Sequence, residues 1–167
     1  MAGRGLVLTM EEKIGHLLGE RELTLATAES CTGGRLGERI TRVPGSSTYF
    51  LGGVVAYSDS VKQGQLRVSP EILKRYGAVS ESVALQMAEG VRRALRARLA
   101  LAVTGIAGPS GGTTEKPVGT VFIALATPTG SYARGCHFSG DRQEVRERSV
   151  TTALEILLDY LQEERAK

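Results

Sequence analysis

Two possible nucleophiles stand side by side where a short apolar run meets a pair of glycines. The segment AESCTGG (residues 28–34) holds Ser30 and Cys31 between the apolar run 23–28 and helix-like sequence that begins near Arg35. This order predicts a turn from the carboxyl end of a strand into a helix N-terminus. Open α/β sheets bind ligands at that place, and backbone N–H groups there can hold an anion. We therefore expect a site around Ser30.

A serine or cysteine nucleophile needs a base, and the histidines offer little. His16 lies among charged residues of a predicted helix and His137 inside a predicted strand, so both are expected to be structural. A lysine can act as base when burial lowers its pKa enough for the neutral amine to be present. Lys74 belongs to a charged helix, and Lys116 to a loop without the Gly-Lys-Ser/Thr ending of a P-loop. Lys62 follows a predicted strand end and can face the same crevice as the serine.

Purely structural explanations of both residues stay open at this point. Lys62 can equally be a solvated surface lysine, and Ser30 can be the N-cap of the following helix with no chemical role. The residue types alone indicate a site, but they identify no substrate.

Metal chemistry is disfavoured by the residue types. Two histidines, two distant cysteines and the lack of a His-Glu-x-x-His spacing give no convincing ligand set. The sequence therefore predicts neither a metal nor another cofactor. A disulfide between Cys31 and Cys136 cannot be argued from sequence, so both are expected to be reduced thiols.

Size and composition bound the remaining choices. The 167 residues suit one domain, predicted over 1–167, and 41% hydrophobic with 23% charged residues is a globular composition. No apolar run approaches the roughly 20 residues that span a bilayer, and residues 1–9 show no secretory signal. We expect a cytoplasmic protein without a membrane partner. The net charge of +3 comes without a dense basic stripe, and aromatic residues are only 5%, so no nucleic-acid partner is expected.

Hydrophobic spacing and turn residues predict the elements that must position these groups. Helices are expected over 10–22, 35–42, 70–76, from Ser80 to about 98, and from Asp141 onward. Strands are expected over 23–28, 50–57, 99–103, 118–127 and 131–138, the last two as an antiparallel hairpin. Because helices and strands interleave, the predicted fold class is α/β, a three-layer α/β/α sandwich with a mixed sheet.

Several blocks of sequence, in one order, resemble a known family. They are AESCTGG (28–34), PGSS (44–47), Tyr57-Ser58 with Lys62, GAVSE (77–81), TGIAGP (104–109), KPVGTV (116–121) and FSGDR (138–142). The set resembles the C-terminal domain of the competence/damage-inducible CinA proteins from about residue 12 to residue 161. That domain also occurs alone as the nicotinamide-nucleotide amidohydrolase of pyridine nucleotide salvage. The resemblance leaves no part of the chain to match the family's additional N-terminal domain, so the stand-alone form is expected.

The resemblance implies hydrolysis of the carboxamide of nicotinamide mononucleotide to nicotinate mononucleotide and ammonia, without a metal. Ser30 would be the nucleophile and Lys62 the general base, and Tyr57 would assist by hydrogen bonding within the dyad. Backbone N–H groups near residues 31–34, or at Thr104 and Gly105, are candidates for the oxyanion hole.

The phosphate of such a substrate needs an anion site of its own. Residues suited to it by chemistry are Thr32 with the Gly33-Gly34 helix start, Ser46, Ser47 and Arg142. The resemblance also implies a homodimer, in which Arg142 can serve its own site or the neighbouring one.

Two alternatives stay open beside this hypothesis. Cys31 can be the nucleophile instead of Ser30, since the field at a helix N-terminus activates a thiolate. The chain can also be a non-catalytic nucleotide-binding or regulatory module linked to competence or the DNA-damage response, in which Ser30 only caps a helix.

Overall fold

Helices and strands alternate in the first third of the chain, and three successive helices and three successive strands follow. The computed structural model describes residues 7–164. The helices are α1 (Met10–Glu20), α2 (Arg35–Thr41), α3 (Asp59–Leu66), α4 (Pro70–Tyr76), α5 (Glu81–Ala94) and α6 (Arg142–Glu163), and a short 3-10 helix spans Ser46–Thr48. The strands are β1 (Leu25–Glu29), β2 (Phe50–Val55), β3 (Leu99–Gly105), β4 (Thr120–Thr127) and β5 (Gly130–His137).

The strands form one mixed sheet in the order β2-β1-β3-β4-β5. β1 runs parallel to both β2 and β3, whereas β4 is antiparallel to both β3 and β5. Every residue of the interior strand β1 is buried, as expected for a parallel strand that is covered on both faces. The predicted α/β class with a mixed sheet is confirmed.

Helices cover both faces of the sheet and create two hydrophobic cores. On one face α1, α2 and α6 pack against large side chains such as Leu25 and Leu101. On the other face α3, α4 and α5 pack against small ones such as Ala26 and Ala100. Neighbouring residues of a strand point to opposite faces, so the alternation of leucine and alanine makes one face bulky and lets α5 approach the other closely. This is the three-layer sandwich that the sequence predicts.

Several chain segments converge at one edge of the sheet. The carboxyl ends of β1, β2 and β3 meet there because these strands are parallel. The loop after β3 stays at the same edge, since Gly105 pairs with Val121 near the start of β4. The end of β5 returns to this edge as well, where His137 pairs with Thr120, and the chain then enters α6. The topology therefore gathers the residues that follow β1, β2, β3 and β5.

Helix α3 is the element that hydrophobic spacing fails to predict. Its sequence, DSVKQGQL, is mostly polar and buries only Lys62 and Leu66. Its N-cap is Ser58, whose hydroxyl accepts a hydrogen bond from the Val61 N–H at 3.3 Å. A cap without an apolar stripe is a weak helix signal in sequence. The other notable difference is that α5 ends at Ala94, short of the predicted end near residue 98.

A glycine seats α3 against α5. A Cβ on Gly90 of α5 would lie 2.0 Å from the carbonyl oxygen of Leu66, at the end of α3. Such an approach is far inside van der Waals contact, so the two helices can meet this closely only when residue 90 is glycine. The contact also determines how closely α3, which carries Lys62, packs against α5.

No helix between residues 7 and 164 combines the length and hydrophobicity needed to cross a bilayer. The predicted absence of a secretory signal concerns residues 1–9, of which 1–6 lie outside the described residues. The predicted domain of 1–167 likewise includes residues 165–167, which also lie outside them.

We expect Gly90→Ala to lower the free energy of unfolding by about 2 kcal/mol, because the added methyl group must push α3 away from α5. Urea denaturation measures the change. Gly64→Ala, in α3 but with nothing within 4 Å of its Cβ, is the matched control. It should stabilise the protein by about 0.5 kcal/mol through helix propensity. Equal stability of the two variants would contradict the proposed close packing.

Candidate active site

A cleft of about 340 Å³ opens at the edge of the sheet where the parallel strands end. It is bounded by the turn after β1, the start of α3, the loop before α5, the loop after β3 and the first residue of α6. Its polar side chains include Ser30, Tyr57, Asp59, Lys62, Thr104 and Arg142. Residues that are far apart in sequence thus share one small space.

Ser30 lies in a tight turn at the end of β1. Its N–H donates to the Val103 carbonyl of β3 at 2.9 Å, and its own carbonyl accepts from the Gly33 N–H at 3.1 Å. Gly33 and Gly34 have φ values of 57° and 97°, which glycine adopts without strain. Ser30 is only 8% exposed, so its hydroxyl meets the cleft while most of the residue is shielded from water.

Lys62 reaches Ser30 from the neighbouring helix. Its Nζ lies 3.2 Å from Ser30 Oγ and donates to the Tyr57 carbonyl at 3.1 Å. The residue is 1% exposed, which rules out the alternative of a solvated surface lysine. One turn of α3 separates it from the start of the helix, so the helix itself directs the amine back toward the end of β1.

The environment of Lys62 favours its neutral form. Burial lowers the pKa of the Lys62 amine below its ordinary value, because a charged ammonium loses its hydration there. The Asp59 carboxylate, 3.8 Å from Nζ and more than half exposed, partly opposes this effect by attracting the ammonium. A lysine in such a setting can accept a proton from a hydroxyl within hydrogen-bond distance.

Tyr57 contributes two different groups to the site. Its backbone carbonyl holds Lys62, as described, whereas its phenol accepts a hydrogen bond from Arg142 at 3.1 Å. The phenol therefore faces the rim of the cleft instead of the Ser30–Lys62 pair. Arg142 also donates to the Gly108 carbonyl at 2.8 Å, and it thereby bridges the end of β2 and the loop after β3.

Cys31 is poorly suited to act as the nucleophile. Cys31 is 5% exposed, and burial raises the pKa of its thiol to about 11. The reactive thiolate is thus nearly absent at neutral pH. The structure favours Ser30 over this alternative.

An internal carboxylate occupies the helix N-terminus that the sequence suggests for an anion. Glu29, 2% exposed, accepts hydrogen bonds from the Thr32 hydroxyl at 2.6 Å and from the Gly34 N–H at 3.0 Å. It also accepts from the N–H groups of Leu36 at 3.0 Å and Gly37 at 2.9 Å. The predicted phosphate ligands Thr32, Gly33 and Gly34 are therefore already engaged: Glu29 holds the first and third, and the Gly33 N–H is bonded to the Ser30 carbonyl.

The structure does not bring every predicted site residue to the cleft. Ser46 and Ser47 begin the 3-10 helix before β2, at the opposite end of that strand from Tyr57. Within one chain they cannot share a phosphate with Arg142. Thr104 does line the cleft, but its hydroxyl donates to the Ala78 carbonyl at 2.8 Å and so ties β3 to the loop before α5.

Three residues that contribute to the cleft and to the turn beside it were not predicted from the sequence. Glu29 and Asp59 each carry a usable signal, since one precedes a helix start and the other stands one helical turn before Lys62. The third is Arg146, which donates to the carbonyls of Cys31 and Thr32. Its signal is the i, i+4 spacing from Arg142, which places both guanidiniums on one side of α6.

Other parts of the described chain offer no comparable chemistry. A larger groove, of about 520 Å³, lies beside α1 and includes His16 and Tyr49, but it contains no nucleophile paired with a base. Between residues 7 and 164 no three His, Cys, Asp or Glu side chains are grouped so that they could hold a metal ion.

The chain is similar to proteins of one family over most of its length. The family model of the CinA C-terminal domain matches residues 7–161. A CinA-like protein of Thermotoga neapolitana is 51% identical over 154 residues, which make up 92% of this chain and 38% of that protein. The chain therefore spans less than two-fifths of the length of this curated relative.

Solved structures agree with this likeness. The competence/damage inducible protein CihA from Agrobacterium tumefaciens is 40% identical with a TM-score of 0.86, covering 92% of this chain and 95% of that one. A competence-damaged protein (CinA) superfamily protein from Klebsiella pneumoniae is 32% identical with a TM-score of 0.89, covering 92% and 96%. The similarity thus includes the cleft and the elements around it.

We expect Lys62→Met to stabilise the protein by about 1 kcal/mol at pH 7, because it replaces a buried amine by an apolar side chain of similar length. The folded pKa of Lys62 is lowered, so the unfolded chain binds more protons between that pKa and about 10.4. The wild type therefore gains stability as pH rises through this window, and its deficit against the variant shrinks. Urea denaturation at pH 7 and pH 9.5 tests the sign; a constant difference would contradict it.

Proposed function

The chain belongs to the CinA C-terminal domain family, and from that premise we propose that it is a metal-free amidohydrolase that converts nicotinamide mononucleotide to nicotinate mononucleotide and ammonia. The observation that carries the proposal is the buried Lys62 Nζ, 3.2 Å from Ser30 Oγ inside the cleft. The printed names of the relatives mention competence and damage but no reaction. The substrate is therefore inferred from the sequence blocks that surround the cleft.

Acylation begins with the neutral amine of Lys62. It accepts the hydroxyl proton while Ser30 Oγ attacks the carboxamide carbon and forms a tetrahedral oxyanion. The Lys62 ammonium then donates its proton to the amide nitrogen, the C–N bond breaks, and ammonia leaves. The Tyr57 carbonyl holds Nζ in place through both transfers.

Deacylation reverses the proton path. A water molecule gives a proton to Lys62 and attacks the ester carbon, the bond to Ser30 Oγ breaks, and the proton returns from Lys62 to the serine. Nicotinate mononucleotide is released. One lysine serves both half-reactions, and burial, which lowers its pKa, favours the neutral amine with which each begins.

Arg142 is the cation that we propose for the substrate phosphate. It lies exposed at the rim of the cleft, and within residues 7–164 its guanidinium donates to just two oxygens, both neutral, those of Gly108 and Tyr57. A guanidinium with neutral partners gains a charge-assisted interaction when a phosphate replaces one of them. The homodimer implied by the resemblance stays a prediction.

The direct test is ammonia release from nicotinamide mononucleotide by the purified protein. We expect stoichiometric ammonia and nicotinate mononucleotide, loss of the rate by about a thousandfold or more in Ser30→Ala, and a near-normal rate in Cys31→Ala. The reverse pattern would make Cys31 the nucleophile. If the nucleotide raises the melting temperature but is never hydrolysed, the chain is the alternative binding or regulatory module.

The pH profile of kcat/KM tests the role of Lys62 separately. Since the base must be neutral, the rate should rise with pH through the lowered pKa of Lys62. Asp59→Asn removes the charge that favours the ammonium, so the rising limb should move to lower pH. Asp159→Asn, on the exposed side of α6, is the control and should leave the profile unchanged. A limb that stays in place in Asp59→Asn would exclude Lys62 as the titrating base.

A further inference from the structure

Arg146 makes a two-pronged contact with the nucleophile turn that the proposed reaction does not yet use. From α6, its Nε donates to the Cys31 carbonyl at 3.0 Å and its Nη2 donates to the Thr32 carbonyl at 3.1 Å. The guanidinium is packed so closely that a Cβ on Gly33 would lie 3.2 Å from Nη2. A planar fork that binds two successive carbonyls fixes the orientation of both peptide groups.

The two peptide groups that flank Cys31 are consequently both held. The carbonyl of Ser30 is bonded to the Gly33 N–H, and the carbonyl of Cys31 is bonded to Arg146. In a planar trans peptide the N–H points opposite to the carbonyl, so fixing the Ser30 carbonyl also fixes the direction of the Cys31 N–H. Arg146 does the same for the N–H of Thr32.

These two N–H groups are the donors of the turn that pair with no oxygen among the described residues, although the Cys31 N–H also interacts with its own thiol. The N–H of Ser30 is bonded to Val103, that of Gly33 to Ser30, and that of Gly34 to Glu29. Over the part of the chain that the structure describes, no oxygen acceptor pairs with the N–H of Cys31 or Thr32. An N–H directly after a nucleophile is the usual donor to the oxyanion that its attack creates.

We propose that Arg146 is a positioning residue that holds the Cys31–Thr32 and Thr32–Gly33 peptides. It thereby keeps the Gly33 N–H on the Ser30 carbonyl, so that the Cys31 N–H stays aimed at the oxyanion formed by attack of Ser30. The inference rests on the proposed function in that it takes Ser30 as the nucleophile. The positive charge of Arg146 acts in the same sense, because it favours negative charge at the position of Cys31.

The kinetic test compares Arg146→Met with Arg148→Met. Arg148 lies on the same helix and is exposed, and its hydrogen bonding within the described part of the chain is limited to one long contact, 3.4 Å to the Ser139 hydroxyl. With nicotinamide mononucleotide we expect Arg146→Met to lower kcat about 10- to 100-fold with KM nearly unchanged, since the oxyanion exists only after binding. Arg148→Met should match the wild type. Arg146→Lys, which keeps the charge but not the fork, should recover only part of the loss.

A second readout does not depend on the substrate assignment. In the reaction with diisopropyl fluorophosphate, Ser30 Oγ attacks phosphorus and fluoride leaves. The serine proton passes through Lys62 to solvent. We expect the labelling rate of Ser30, followed by mass spectrometry, to fall at least tenfold in Arg146→Met and not in Arg148→Met. If labelling depends on Arg146 but nicotinamide mononucleotide is not hydrolysed, the proposed function fails and the positioning role stands.

Other outcomes overturn the inference. Equal labelling rates in Arg146→Met and the wild type would show that the fork does not position the donor. A wild type that is not labelled at all would remove Ser30 as the nucleophile, and the positioning role with it. A loss of kcat that parallels a lower fraction of folded protein, measured by circular dichroism, would reduce Arg146 to a structural role. Full recovery by Arg146→Lys would assign the effect to charge alone and remove the positioning role.

Discussion

A buried carboxylate joins the strand before Ser30 to the helix after it. Glu29 ends the interior strand β1 and accepts hydrogen bonds from four donors at the start of α2. A helix start carries unpaired N–H groups and a partial positive charge, and a carboxylate in this place satisfies both. The turn between the two elements is therefore fixed at each end. This link helps to fix the position of Ser30, and with it the contacts that other residues make with the turn.

The site is assembled from elements that come together only in the folded state. The turn after β1 supplies the proposed nucleophile, α3 the proposed base, and α6 the two guanidiniums at the rim and behind the turn. Parallel strands make this convergence possible, because their carboxyl ends and the connections that follow them share one edge of the sheet. The alanine-lined face allows α5, and with it α3, to come close enough for Lys62 to reach Ser30.

Sequence patterns predict the layers, the strands and most helices because apolar periodicity records which faces are buried. They miss α3 because its important buried residue is a lysine, which no hydrophobic pattern counts as core. They also point to the α2 start as an anion site without indicating that Glu29 is the anion. Ser46 and Ser47 are good phosphate ligands by chemistry, yet they lie at the wrong end of β2. Such distinctions depend on tertiary geometry, which residue types and spacing do not encode.

Because the proposed base is buried in a short helix, the site can lose its geometry while the rest of the fold stays intact. α3 has eight residues, a glycine inside it, and two buried side chains. Local opening of such a segment costs less free energy than global unfolding. When α3 opens, the Lys62 amine enters water, where burial no longer lowers its pKa, and leaves Ser30 behind in an otherwise intact sheet. Warming should therefore abolish the proposed activity at a lower temperature than that of global unfolding.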